Sequence, residues 1–151
     1  MRISIGASDR SASDYSYDDS GTDPSLNNFS LSGPDLTNVI PLIKKIPLIN
    51  SSIKVLATPW SAPIWMKTNN ARVGGSLNTA YYSTYANYFV KYITAMKAQG
   101  ITIWVITPQN EPENPYNEPS RTMTAAEEIN FINNNLGPAL ANTGFSAKII
   151  A

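Results

Sequence analysis

The chain has 151 residues, 42% of them hydrophobic, and its 11 Lys and Arg balance 11 Asp and Glu, so the formal net charge is zero. That length suits one ordinary domain with a core, and the charge balance favours neither nucleic acid nor an anionic membrane surface. There is no Cys and no His, which excludes disulfides, thiolate chemistry, Ser-His-Asp triads and histidine metal sites, and leaves acid/base work to Asp, Glu, Lys or Tyr.

In chain order, the first apolar run is Ile3–Ala7. It begins so early that Met1 to Gly6 reads as strand and not as a signal peptide. The lack of Cys does not exclude secretion. A helix is predicted over about Asp35 to Asn50, apolar at Leu36, Val39, Ile40, Ile43 and Ile46, with Pro41 and Pro47 expected to kink or split it. The second apolar run is Ile53–Thr58. The next helix, about Thr79 to Gln99, places Tyr81, Tyr85, Tyr88, Phe89, Tyr92, Ile93 and Met96 at helical spacing, with Gly100 as its stop. The third run is Ile101–Thr107, in which Trp104 reads as core packing. A third helix is predicted over about Ala125 to Leu140, opened by a Thr124/Glu127 capping box, bent or broken at Gly137-Pro138, and ended by Asn142 and Gly144. The fourth run, Lys148–Ala151, closes the sequence inside a strand, so a piece of a longer reading frame is expected. No apolar run reaches the length of a bilayer span.

Short strands alternating with helices imply βαβ units and a parallel sheet. The strands recur roughly every 50 residues, against about 30 for a minimal unit. The surplus follows each strand, in the stretches 9–23, 59–75 and 108–121. Long polar and aromatic loops at that end of a parallel sheet are where α/β proteins bind ligands.

Each of the first three strands ends in a residue suited to sugar chemistry. Asn110-Glu111-Pro112 places a carboxylate beside an amide at the sheet rim. Glycoside hydrolysis needs a carboxyl group that protonates the leaving oxygen and then activates water, and an amide that holds the sugar 2-hydroxyl. Trp60, directly after the second strand, suits a pyranose face, whereas Trp65 reads as a loop filler. Asp9 can accept from two sugar hydroxyls, although by itself an Asx-turn or helix cap is the better reading. Tyr15, Tyr17, Asp18 and Asp19 form a polar aromatic loop that either touches substrate or is solvated. Glu113 and Glu118 read as solvated. The acidic residues lack the spacing of a calcium loop, and Gly74-Gly75 precedes no phosphate-binding pattern.

These residues, together with Tyr15-Ser16-Tyr17-Asp18-Asp19, Leu26-Asn27-Asn28-Phe29-Ser30, Pro59 to Lys67, Tyr88-Phe89-Val90-Lys91-Tyr92 and Leu136-Gly137-Pro138, form an ordered set running from end to end. The chain resembles glycoside hydrolase family 30, which includes glucosylceramidases and endo-β-1,6-glucanases. The resemblance implies an α/β fold, a partial (β/α)8 barrel holding roughly strands 2 to 5, with residues 1–151 a fragment of one catalytic domain. It implies retaining hydrolysis of β-glucosides, Glu111 as acid/base, Asn110 as the 2-hydroxyl contact, and Asp9 and Trp60 as glucose-site residues. Arg10 departs from the family's usual aromatic. No residue matches the nucleophile Glu of the seventh strand, so the chain alone is expected to be inactive.

The resemblance implies no metal and no organic cofactor. It implies a β-glucoside or β-glucan substrate, membrane contact only through a glycolipid substrate, no nucleic acid, and an extracellular or periplasmic place for the full-length protein; oligomeric state stays open. The loop 114–120 looks more like the microbial glucanase members. Two other readings stand beside the enzyme: a non-catalytic sugar-binding remnant that keeps Asp9, Trp60 and Asn110, and an α/β domain that binds other proteins.

Overall fold

The computed structural model describes residues 1–31 and 33–151. Four parallel strands lie side by side in sequence order: β1 (Arg2–Ile5), β2 (Val55–Pro59), β3 (Ile103–Ile106) and β4 (Lys148–Ile149). Each falls within or beside one of the apolar runs. The first is shorter than its run because Gly6 takes φ +75° and turns the chain directly after Ile5. Parallel neighbours need a crossover, and a helical segment fills each one. Strand order and helical crossovers are those of part of a (β/α)8 barrel.

The first crossover is a π-helical turn, Asp35–Val39, running into α1 (Ile40–Ile49). The expected split at the prolines does not occur. Pro41 lies inside one continuous helical run, directly after the π turn that accommodates its ring and missing N–H, and Pro47 lies in the last turn. The irregularity sits upstream, as the π turn. Ile40 and Ile43 are buried, while Leu42, Leu48 and Ile49 face out.

The second crossover is α2 (Tyr82–Ala98), entered through a 3-10 turn over Thr79–Tyr81 that the Asn78 side chain caps at Ala80 N (3.0 Å). Its Tyr85, Tyr88, Phe89, Tyr92 and Met96 are buried and form the centre of the core. Gly100, at φ +78°, ends it.

The third crossover is α3 (Ala125–Phe131), a π-helical turn (Ile132–Leu136) and α4 (Gly137–Ala141). The Thr124/Glu127 capping box forms in both directions. The bend at Gly137 is the π turn, and it requires glycine: a Cβ there would meet the Ile132 carbonyl oxygen at 2.9 Å.

Two expectations are corrected. Of the loop residues, Tyr17 and Asp18 are neither solvated nor presented to a ligand, since both are buried, whereas Tyr15 is half-buried and Asp19 exposed. Tyr17 stacks on Tyr92 (5.6 Å between centroids), accepts from Gly6 N at 2.8 Å, and receives Tyr88 Oη at its own backbone N–H (3.0 Å). The tyrosines of α2 thus draw the loop into the core. Trp104 is not core but 39% exposed. Val55 pairs with Ile103 and Leu56 with Val105, so Trp104 is the extra residue of a β-bulge, turned outward near Lys54 (4.5 Å) and Lys148 (5.8 Å).

Candidate functional site

The connections that leave the C-terminal ends of β1, β2 and β3 form one knitted rim. Trp65 Nε1 donates to the Asp18 carbonyl at 2.9 Å, and its ring meets Tyr81 edge-on, so it serves the scaffold as expected. Arg72 lies 3.6 Å from Asp19 and 3.9 Å from Asp14. The buried Lys67 amine donates to the carbonyls of Ser120 (2.7 Å) and Arg72 (3.0 Å). Burial, with repulsion from Arg121 and Arg72, pushes that amine down to about 7. The rim is therefore held by buried donors on carbonyls, which fixes loops that composition alone would leave free.

Glu111 stands just past β3, on that rim. Its backbone is left-handed at φ +43°, a conformation costing about 1–3 kcal/mol for a residue with a side chain. The carboxylate is exposed, and its Oε2 accepts from Nδ2 of Asn114 (3.2 Å) and of Asn117. A cavity of about 530 Å³ opens beside it, lined also by Pro112, Glu113, Asn114, Met123 and Glu128.

Beside Glu111, Arg2 contacts two of the other predicted residues, Trp60 and Asn110. Its guanidinium lies 4.8 Å from the Trp60 ring centroid, donates from Nη2 to Asn110 Oδ1, and donates from Nε to Thr58 Oγ1 at 3.3 Å. Asn110 N in turn donates to the Pro59 carbonyl at 2.8 Å. Arg2 thus touches both Trp60 and Asn110, and it covers a face of the indole that was expected to stack on sugar. The indole Nε1–H is left as a buried donor without a partner. Sequence reasoning missed Arg2; the available signal was a lone cation at the start of an otherwise apolar strand.

Asp9 stands apart from that group. It is exposed at the end of β1, in a cavity of about 380 Å³ shared with Ser8, Ser11, Asp14 and Glu118. Its turn is held by Ser11 N to Ser8 O (3.0 Å) and Ser8 N to Ser11 Oγ (2.9 Å), so the Asx-turn alternative fails. Glu118 links this cavity to the loop that follows Glu111.

A second missed residue lies beneath. Arg121 is fully buried and donates to Gln109 Oε1 (3.0 Å) and the Pro108 carbonyl (3.1 Å). Gln109 donates onward to the carbonyls of Trp60 (2.6 Å) and Asn110 (2.9 Å). The segment that delivers Asn110 and Glu111 is thus braced from the core.

The sequence model of the glycosyl hydrolase family 30 TIM-barrel domain matches residues 1–150. The chain is 44% identical to a putative glucosylceramidase 4 of Caenorhabditis elegans over 152 residues, 94% of this chain and 29% of that protein. It is 44% identical to an endo-1,6-beta-D-glucanase of Neurospora crassa, over the whole chain and 33% of that protein. Among solved structures it superposes on the endo-beta1,6-glucanase BT3312 with a TM-score of 0.95 at 43% identity, over 99% of this chain and 34% of that one. The chain spans about a third of the length of the relatives it matches.

Proposed function

From the premise that the chain belongs to glycosyl hydrolase family 30, we propose that it carries the acid/base half of a retaining β-glucoside hydrolase, with Glu111 as the acid/base. One observation carries this reading: an exposed carboxylate in a strained left-handed backbone, at the C-terminal end of a parallel strand, next to Asn110. Backbone strain held at a titratable side chain on a braced rim supports a functional position. Asn110 keeps its Nδ2 for a 2-hydroxyl while Arg2 holds its Oδ1. Asp9 offers an exposed acceptor from the end of β1.

Residues 1–151 belong on this reading to one catalytic domain. A retaining mechanism needs a second carboxylate about 5–5.5 Å from the first; family resemblance puts it on a strand outside these residues. The chain by itself is therefore expected to turn over no β-glucoside. The substrate is a β-glucoside, and the 114–120 loop resembles that of the microbial glucanase members. A β-glucan polymer is met outside the cytoplasm, so the complete protein is expected to be exported.

The decisive experiment is Glu111→Gln in a complete family 30 barrel that carries these residues. Hydrolysis of glucosides with poor leaving groups is expected to fall by about 10²–10⁴-fold, the ordinary contribution of acid/base catalysis. Unchanged turnover would remove Glu111 from the role.

A further inference from the structure

The protein treats the two oxygens of the Glu111 carboxylate differently. Oε2 accepts from the side-chain amides of both Asn114 and Asn117, whereas among the described residues no group donates to Oε1. The Asn114 amide is itself held. Asn114 N donates to the Glu111 carbonyl at 2.9 Å, and Asn114 Oδ1 accepts from Tyr116 N at 3.1 Å. That second bond fixes which end of the amide faces the carboxylate, because only Oδ1 can accept. The loop between Asn114 and Asn117 is anchored too. Ser120 Oγ donates to the Pro115 carbonyl (2.8 Å) and accepts from Gly74 N (2.9 Å), on the connection after β2.

An amide N–H donates and cannot take up a proton, so both can stay on Oε2 whether the carboxyl group is charged or neutral. Oε1 is then the oxygen on which the neutral form carries its hydrogen. We propose that Asn114 and Asn117 are positioning residues that reserve Glu111 Oε1 for proton transfer, an inference resting on the acid/base reading of Glu111. In the first step the Oε1 hydrogen goes to the glycosidic oxygen as its bond to C1 breaks and the second carboxylate bonds to C1. In the second step Oε1 takes a proton from water as the water oxygen bonds to C1 and that carboxylate leaves. Oε2 stays clasped through both, so the carboxyl group does not rotate between them.

Two measurements test this. In a complete family 30 barrel carrying this segment, the side-chain amide resonances of Asn114 and Asn117 are followed through a pH titration by ¹H–¹⁵N NMR of asparagine-labelled protein. They are expected to move as Glu111 ionises and to stop moving in Glu111→Gln; resonances that ignore Glu111 overturn the clasp. In a complete family 30 barrel carrying this segment, Asn117→Ala is assayed on an alkyl β-glucoside, which needs a proton on its leaving group, and on a dinitrophenyl β-glucoside, which does not. A misplaced acid is expected to slow the first by about 10–100-fold and the second by no more than about 3-fold. Equal losses on both reduce Asn117 to a structural residue and overturn the proposal. Glu111→Gln runs beside it: if that variant keeps its alkyl-glucoside rate, the acid/base reading fails, whatever the NMR titration gives.

Discussion

Arg121 and Gln109 form a buried strap beneath the rim: the guanidinium Nε donates to Gln109 Oε1 at 3.0 Å, and Gln109 Nε2 carries the connection on to Trp60 O and Asn110 O. Arg121 is fully buried, and among the described residues no carboxylate pairs with it; it lies instead over the Tyr85 ring, 5.2 Å from its centroid. Removing it strands Gln109 Oε1 and the Pro108 carbonyl without donors. Arg121→Leu is expected to lower unfolding free energy by about 2–4 kcal/mol, measured by urea denaturation, since unsatisfied buried acceptors are the costly kind. A variant as stable as the parent would show that the strap braces nothing.

Arg2 should behave in the opposite way. It is exposed, so Arg2→Met is expected to change stability by less than about 1 kcal/mol. Its effect belongs at Trp60 and Asn110. With Trp65 and Trp104 replaced by Phe, Trp60 fluorescence should shift to the red and become more quenchable when Arg2 is lost, because the guanidinium no longer covers the ring. An unchanged emission spectrum would contradict the contact.

Asp18 gives the chain a pH dependence whose sign is fixed. Both its oxygens are buried without a hydrogen bond, and burial, reinforced by Asp23 and Asp19, pushes its carboxyl group up to about 6 from 3.8. Below the unfolded value both states hold the proton, and Asp18 costs nothing. As pH rises towards 6 the unfolded chain ionises first, so stability falls, and above 6 the loss is constant. Asp18→Asn is therefore expected to stabilise the chain at pH 8 and to match the parent near pH 3.5, read from denaturant midpoints at both values. Stabilisation of equal size at both would refute ionisation as the cause.

The capping box at α3 supplies a local test. Thr124 Oγ1 accepts from Glu127 N at 3.3 Å, and Glu127 Oε2 accepts from Thr124 N at 2.7 Å. Thr124→Ala is expected to cost about 1 kcal/mol in thermal or urea unfolding.

Several features were legible in the residues themselves because their causes are short-range. Apolar runs gave the four strands. Tyr and Phe at helical spacing gave α2, Thr124 and Glu127 gave the cap, and Asn110-Glu111 at a strand end gave the carboxylate proposed as acid/base. Each depends on neighbours within a turn or two of chain. Other features depend on partners far away in sequence. Trp104 reads as core until the register between β2 and β3 makes it a bulge. Tyr17 and Asp18 read as a surface loop until the tyrosines of α2 draw them in.

The sequence by itself determined the alternation of strand and helix and the chemistry at the strand ends, since periodicity and side-chain type are local properties. Tertiary structure alone decided what surrounds Glu111: Arg2 reaching Asn110 across 108 positions, Arg121 bracing Gln109 from the core, and the anchored loop that brings Asn117 to Oε2. Those contacts follow from strand register and loop closure, which depend on the packing of the whole sheet against its helices, and no short window of sequence contains that information.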